Sequence, residues 1–316
     1  MGKQEKVAIL MAPRLGDSLL MMVIANNFRH NGAQVSIFGD YIWQLRDWFP
    51  GFEIHRSLAE EQAQAALCDF DRAIQMHPGW PFDLTRYHPT VTIYDEHVVV
   101  TGKGFVKAYQ MRDFCRDFFG HSGTTHANGL VAPDGMAKHR HPKRVAIHPT
   151  STGALRCWAP RHFGKLAKDL IKAGYEPAFI VSPAERADWE WVTRLGAELP
   201  DNPGLSGVAS YIRESGWFIG NESGIGHLAS ATGIPVLTLT GRMKRTRAWR
   251  PAWSHSRIVA PWYIPGGRLR DRYWRRLLTP QHVLWAFGKL RSDTAASGNP
   301  HINNDIDTDI NVGEAV

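Results

Sequence analysis

Cysteine is scarce in this 316-residue chain, and its three copies are scattered at Cys68, Cys115 and Cys157. No two of them have the spacing of a metal site, and an odd number does not fit a disulfide framework. All three are interpreted as small core residues, although Cys157 lies in a loop that also carries polar candidates. We predict a reducing compartment, which fits a cytoplasmic protein.

Long hydrophobic runs are also absent. Runs such as Val236–Leu239 have the length of a β-strand, whereas a membrane helix needs about 20 apolar residues. The opening "MGKQEKVAIL" passes directly into a strand-like pattern and lacks the apolar core of a signal peptide. We therefore expect neither a membrane-spanning helix nor secretion.

Acidic residues are rare in one stretch, residues 242–276, where Asp271 stands against ten arginines and Lys244. Tryptophan and tyrosine are interleaved with these cations. Such a composition suits a polyanion: nucleic acid, an anionic membrane surface or a phosphorylated substrate. The alternative is a solvated basic face.

Elsewhere the apolar pattern alternates between strands and helices. The runs "VAILMA" and "VAIH", which begin at Val7 and Val145, are typical of parallel strands buried on both faces. A polar, basic segment at 133–144 separates the two series. We predict an α/β fold of two Rossmann-like domains facing each other across a cleft, as is typical of GT-B glycosyltransferases. The expected boundaries are 1–135 and 145–291, with a disordered acidic tail at 292–316.

The first of three polar loops that follow predicted strands contains Gly16 and Asp17. Ligands of such sheets bind at the carboxyl ends of the strands. A helix is expected to start at Asp17 or Ser18. Asp17 therefore fits two interpretations: a helix cap, or a general base that takes a proton from a sugar hydroxyl.

The second loop, His148–Pro160, combines Thr150, Ser151, a glycine and Arg156 just before a helix. Backbone N–H groups and the helix dipole suit a phosphate at such a position, and the arginine suits the charge of a diphosphate leaving group. The other interpretation is a capping loop built from Ser and Thr.

The third loop lies in "GNESGIGHLASATGIP", residues 220–235, between a strand and a small-residue helix. Its glycines allow a ligand to approach the backbone closely, and Glu222 suits hydrogen bonds to ribose or sugar hydroxyls. His227 fits either a phosphate contact or a packing role. The alternative for the whole loop is a tight turn before the helix.

Together, the three loops resemble glycosyltransferase family 9, the ADP-heptose:lipopolysaccharide heptosyltransferases, over about residues 5–245. The resemblance rests on Gly16-Asp17, on the polar run between His148 and Pro160, and on Glu222–Ala231 followed by Gly233-x-Pro235. The family usually has Lys where this chain has Arg156 and Asp where it has Glu222. Its usual Gly-Pro-Thr after the last strand is replaced here by "GRMK" from Gly241.

This resemblance implies an inverting, metal-independent transfer of heptose from a nucleotide diphosphate sugar, ADP-heptose in this family, with no cofactor. The acceptor would be a phosphorylated or Kdo-bearing lipid of the lipopolysaccharide inner core, at the inner face of the inner membrane. Asp17 would be the catalytic base. The donor is assigned to Thr150, Ser151, Arg156, Glu185, Glu222, Ser223, Gly224 and His227. The acceptor is assigned to Arg14, Arg242, Lys244, Arg245 and Arg247.

Two other functions remain open on the sequence: a GT-B transferase that uses a different nucleotide sugar, and a non-catalytic nucleotide- or polyanion-binding protein. No nucleic-acid-binding motif accompanies the basic stretch, so nucleic acid is not expected as a partner. Asp305, Asp307 and Asp309 in the tail lack the glycine and glutamate of a calcium loop, and no metal site is predicted.

Overall fold

The computed structural model describes residues 4–98, 105–262, 266 and 268–297. Its strands are β1 (Lys6–Leu10), β2 (Gln34–Phe38), β3 (Glu53–His55), β4 (Arg72–Gln75), β5 (Val91–Ile93), β6 (His141–His148), β7 (Glu176–Phe179), β8 (Ser215–Asn221), β9 (Val236–Leu239) and β10 (Ser256–Val259). Its α-helices are α1 (Leu15–His30), α2 (Asp40–Gln44), α3 (Ala63–Leu67), α4 (Tyr94–His97), α5 (Lys107–Phe119), α6 (Pro160–Lys172), α7 (Arg186–Trp189), α8 (Gly204–Glu214), α9 (Gly224–Ala231), α10 (Met243–Ala248), α11 (Arg268–Leu277) and α12 (Pro280–Ala296).

Each half of the chain builds one five-stranded parallel sheet with helices on both faces, as predicted. The central strand β1 shows why. Val7 and Ile9 belong to one buried cluster, and Ala8 and Leu10 belong to the cluster on the opposite face. Because successive side chains of a strand point to opposite faces, a strand covered on both sides must be apolar throughout.

The strand orders locate the ligand crevices. The first sheet runs β3-β2-β1-β4-β5, and the second runs β10-β9-β8-β6-β7. The order reverses between β1 and β4 in the first sheet and between β6 and β8 in the second. Crossover loops leave in opposite directions at such a point and open a crevice at the carboxyl ends of the strands. All three loops singled out in the sequence border these two crevices.

The two crevices meet where α1 and α9 begin. A Cβ atom at Gly224 would lie 2.8 Å from the Cβ of Leu15 and 2.9 Å from the backbone N of Gly16. Both distances are shorter than real contacts, so this approach requires glycine at position 224. The start of a helix from each sheet therefore borders the same cleft.

Two indoles tie the halves together beside this contact. Trp48 Nε1 donates to Ser206 Oγ at 3.0 Å, and Trp253 Nε1 donates to the His126 carbonyl at 2.8 Å. Leu228 of α9 also joins the hydrophobic cluster under α1. These contacts fix the two crevices relative to each other.

The structure shifts two predicted boundaries. β6 begins at His141, inside the segment predicted as a linker, because this residue pairs with Ser215 at the start of β8. α12 continues to Ala296, past the predicted end of the folded part, and Arg257 holds this last portion through a 2.8 Å ion pair to Asp293. The rest of the predicted tail, 298–316, lies outside the described residues.

Candidate active site

Asp17 lies in the crevice of the first sheet. α1 begins at Leu15, two residues earlier than predicted, and its N-cap is Arg14, so Asp17 is the third helical residue and does not occupy the cap position. Its side chain is only 11% exposed. A carboxylate in the first helical turn is favoured by the helix dipole, and here it also faces other charged groups.

Three charged side chains that the sequence analysis missed form a series that ends at Asp17. His77 follows β4, and its Nε2 lies 3.6 Å from Asp17 Oδ2. The other ring nitrogen, Nδ1, lies 2.5 Å from Oδ2 of Asp95, the second residue after β5. Lys107, the first residue of α5, donates from Nζ to Asp95 Oδ1 at 3.3 Å. A chain of alternating charges thus runs from the cleft into the first domain.

The contacts set the protonation of this cluster. Asp17 and then Asp95 raise the pKa of His77 to about 9, against the effect of burial. At 3.6 Å the Asp17 contact is an ion pair beyond hydrogen-bond length, so the shorter bond to Asp95 fixes the ring. Burial alone would raise the pKa of Asp95, but His77 and Lys107 lower it overall. His77 is therefore an imidazolium at neutral pH.

The position of these residues is the signal that could have found them. His77 and Asp95 each stand two residues past the end of a strand, β4 or β5, at the edge of the sheet where ligands bind. Lys107 carries no such signal, because it reaches the cluster from the start of a helix.

In the second crevice, Glu222 occupies the centre of a hydrogen-bond network. Arg156 Nη2 donates to its Oε1 at 2.7 Å, and the Thr246 hydroxyl donates to its Oε2 at 2.6 Å. Ser151 Oγ donates to the Glu222 backbone carbonyl at 2.7 Å. The structure therefore brings together Ser151, Arg156 and Glu222, and it adds Thr246 from α10.

Asn221, the last residue of β8, holds the loop that carries these groups. Its Nδ2 donates to the Pro149 carbonyl at 2.6 Å, and its Oδ1 accepts from the Trp158 backbone N–H at 2.9 Å. Trp158 is fully buried and donates from Nε1 to the Leu278 carbonyl. Both ends of the loop are anchored, so its hydroxyls and arginine are held in place before any ligand binds.

Thr150 and Glu185 lie together on the far side of this loop. The ring of the buried His148 contacts two groups. Its Nε2 lies 3.4 Å from Thr150 Oγ1, and its Nδ1 lies 2.8 Å from the Ile180 carbonyl oxygen. Glu185 forms a capping box with Ser182. Burial alone would raise the pKa of Glu185, but hydrogen bonds from the Ser182 and Thr150 hydroxyls lower it. Glu185 is thus within reach of the same crevice, as an ionised acceptor.

Ser223 and His227 belong to the first turns of α9. Ser223 is its N-cap and accepts from the Gly226 N–H at 3.4 Å. His227 is buried against Trp253, and burial lowers its pKa to about 4, so its ring is neutral at neutral pH. Its Nδ1 has no hydrogen-bond partner among the described residues. His227 packs in the wall of the cleft and offers a neutral ring, not a cation, to any ligand.

The basic stretch begins at the cleft, as expected. Arg242, Lys244, Arg245 and Arg247 are exposed on or beside α10. The opposite side of α10 carries buried Thr246, bonded to Glu222, while Trp249 just beyond the helix lies 5.2 Å from Lys107 Nζ. α10 therefore spans the cleft from the second crevice to the charge cluster of the first. Arg14, the remaining acceptor candidate, stacks on Trp80 at 4.7 Å, and the Trp80 ring lies 5.6 Å from that of His77.

Three of the six Trp and Tyr residues of this stretch, Trp249, Trp253 and Trp274, have a structural role. Trp274 is 3% exposed, packs on Gly241 and donates to the Leu155 carbonyl at 3.0 Å. Trp249 and Trp253 pack against the first hydrophobic core. Trp262 is exposed, and Tyr263 lies outside the described residues. Because Trp249, Trp253 and Trp274 pack against the protein, the aromatic residues of this stretch do not form a continuous binding surface.

The described part of the chain offers no candidate for a metal site or a membrane helix. No group of three or more His, Cys, Asp or Glu is placed to hold a metal ion there. Within the same residues, no helix is both long and apolar enough to cross a bilayer.

Two facing parallel α/β sheets with a cleft between their carboxyl edges define the GT-B class of fold, and solved structures agree. Lipopolysaccharide heptosyltransferase II of Escherichia coli has a TM-score of 0.68 at 18% identity, over 92% of this chain and 100% of that one. A family 9 glycosyltransferase from Veillonella parvula DSM 2008 has a TM-score of 0.68 at 15% identity, over 92% and 97%.

The chain belongs to glycosyltransferase family 9 (heptosyltransferase), whose family model matches residues 55–261. Lipopolysaccharide heptosyltransferase 3 of E. coli strain K12 is 30% identical over 170 residues. That alignment covers 49% of this chain and 48% of the relative, so the chain spans about half the length of this curated relative. The matched family residues include the donor loops and α10 but not Asp17.

Proposed function

We propose that the protein transfers a heptose, with inversion, from ADP-heptose to a phosphorylated acceptor sugar of the lipopolysaccharide inner core. One observation carries the proposal. The buried carboxylate of the first domain lies at the start of α1, and the proposed phosphate site of the second domain lies at the start of α9. These two helix starts touch at Gly16 and Gly224. Transfer requires such a base and such a cradle on either side of one anomeric carbon. Family membership supports the sugar and the acceptor class.

In this reaction the acceptor hydroxyl oxygen forms a bond to the anomeric carbon while the bond from that carbon to the diphosphate oxygen breaks. The proton of the hydroxyl goes to Asp17, and the electron pair of the broken bond leaves with ADP. Arg156, the loop hydroxyls and the start of α9 stabilise the departing charge. These groups supply that stabilisation without a metal ion.

Arg156 is already paired with Glu222 in this structure. Binding of a diphosphate therefore divides the arginine between two anions, or draws it from the carboxylate. Glu222 then becomes available to the hydroxyls of the sugar or ribose, while Thr246 keeps its other oxygen in place.

The exposed cations of α10 are proposed to hold the phosphates of the acceptor at the surface of the inner membrane, in the cytoplasm. Their charge exceeds what one diphosphate needs, since Arg156 and two helix starts already serve it. Nothing in this arrangement requires an apolar anchor.

The direct test supplies ADP-heptose and inner-core lipopolysaccharide from a strain lacking the terminal heptose. We expect release of ADP and a mass increase of the acceptor by one heptose. Other nucleotide sugars, offered in parallel, report the donor preference. Transfer from none of them, despite tight ADP binding, would contradict a catalytic function.

A further inference from the structure

The charge cluster of the first crevice contains more than the proposed reaction needs. A general base requires one carboxylate, yet His77, Asp95 and Lys107 are arranged in series behind Asp17. Lys107 is 6% exposed at its side chain and Asp17 is 11% exposed. Charges this deeply placed are costly unless they are paired, so the series calls for a physical explanation.

Charge balance supplies the first step. With His77 protonated, two carboxylates face two cations, and the cluster is neutral. With His77 neutral, one negative charge is left over in a poorly solvated site. The balanced state is the one that the 2.5 Å contact to Asp95 favours.

The second step is that the imidazolium is held rigidly. Gln75 Nε2 donates to the His77 backbone carbonyl at 2.7 Å, which fixes the chain at the exit of β4. The ring bonds to Asp95, and it is flanked by Trp80. Lys107 in turn fixes Asp95. Each member of the series therefore restrains the next, and the last to be restrained is Asp17.

We propose that His77 is the positioning residue for Asp17: as an imidazolium anchored by Asp95, it forms an ion pair with one oxygen of the carboxylate, which leaves the other oxygen to receive the acceptor proton. This inference rests on the proposed function, because it assigns His77 a role in that reaction. His77 itself neither touches the donor nor takes the proton.

A pH signature follows. The charged groups that face His77 are Asp17 on α1, Asp95 on α4 and Lys107 on α5, with Arg14 behind Trp80. The titratable but neutral ring of His227 on α9 lies beyond Asp17. The pKa of His77 is raised, so its cation is present below about pH 9 and is lost as the pH rises through that value. We therefore expect kcat to fall on the alkaline side through the loss of this cation.

The test compares His77→Gln with His55→Gln, a matched change on the edge strand β3 of the same domain, far along the sheet order from β4. For His77→Gln we expect kcat to fall by about tenfold or more. This loss should be smaller than the loss of about 10²–10⁴-fold expected for a general base. The alkaline limb near pH 9 should disappear. The dissociation constant of ADP, measured by calorimetry, should not change. His55→Gln should behave as the wild type.

Wild-type kcat and an unchanged alkaline limb in His77→Gln would overturn the proposal. Asp95→Asn, which keeps the size of the side chain, provides a second variant should His77→Gln fold poorly, and it should lose kcat in the same way. NMR titration of the His77 ring gives a measurement without turnover: Asp17→Asn should lower the pKa of His77. If the pKa of His77 does not change in Asp17→Asn, the proposed coupling is wrong even if heptose transfer is observed. If that pKa changes but no transfer is observed, the result counts against the proposed function alone.

Discussion

The first crevice is lined by four side chains of alternating charge, whereas the second is lined by hydroxyls, helix starts and the ion pair between Arg156 and Glu222. Both stand at a reversal of strand order, and both follow buried strands of the same kind. The fold therefore supplies two equivalent positions, and side chains alone make one suited to a proton and the other to a phosphate. Substitutions that affect one crevice only will test this division.

The largest effect is expected from Asp17→Asn. The amide keeps the size of the side chain but cannot accept the proton, so kcat should fall by about 10²–10⁴-fold, with ADP affinity unchanged by calorimetry. Asp40→Asn, also in the first turn of a helix but half-exposed, is the control, and it should cost no more than about 0.5 kcal/mol of stability. A loss of kcat below about tenfold for Asp17→Asn would mean that the first crevice does not take up the acceptor proton.

Arg156→Ala should act on the second crevice. A hydrogen bond to a charged group contributes about 1.5–3 kcal/mol, so ADP and the donor should bind about 10- to 100-fold more weakly. Arg140→Ala is the matched control, because Arg140 lies next to the opposite, amino end of β6. Calorimetry with ADP measures both variants. Unaltered ADP affinity would place the diphosphate elsewhere.

Charge reversal on α10 should affect only the acceptor. Arg245→Glu combined with Arg247→Glu should raise the KM for the acceptor by about 30-fold or more, because the loss of two cations at about 1 kcal/mol each near an anionic surface already amounts to about 2 kcal/mol. The effect should grow as salt is lowered, because screening weakens. The donor KM should hardly move. Lys168→Glu with Lys172→Glu, exposed on α6, is the control. Equal damage to both substrates would make α10 a structural element.

Glu222→Gln should give a smaller effect of opposite sign. Removing the carboxylate frees Arg156, so ADP should bind about two- to fivefold more tightly, in line with the small net energy of a partly exposed ion pair. Turnover of the sugar donor should not improve, since the sugar loses an ionised acceptor. Weaker ADP binding in this variant would show that Glu222 supports the nucleotide directly.

The smallest expected effect is that of a chelator. Arg156 and the start of α9 are proposed to carry the leaving-group charge, so dialysis against EDTA should leave kcat unchanged. Restoration of lost activity by a divalent cation would contradict this and would assign part of the charge stabilisation to a metal.

The sequence predicted what depends on local pattern. Apolar runs identified β1 and β6, and small polar residues after strands identified Asp17, Ser151, Arg156 and Glu222 as neighbours of the cleft. α8 was missed because its two glycines and Pro203 before it weaken the helical signal. Residues 183–195 form largely 3₁₀ turns, since Trp189, Trp191 and Val192 pack on one core and residues two apart do not share a face of an α-helix.

The pairings across elements could not be predicted. His77, Asp95 and Lys107 are separated by up to 30 residues and meet only because β4 and β5 are adjacent and α5 begins beside them. The bonds of Glu222 to Arg156 and to Thr246 likewise depend on three separate elements. Loop composition suggested ligands for each residue, but only the fold shows which charges are already paired within the protein.

The meeting of Gly16 and Gly224 has a consequence for substrate selection. Because backbone forms this contact, no change of rotamer can adjust the span between the proton acceptor and the phosphate cradle. The main chain therefore fixes this distance, and only an acceptor whose hydroxyl reaches the anomeric carbon within it can react. A misplacement of about 1 Å can cost about 10² in rate. A single methyl group at position 224 would push the two helix starts apart. The resulting protein should bind both substrates without transferring the sugar between them.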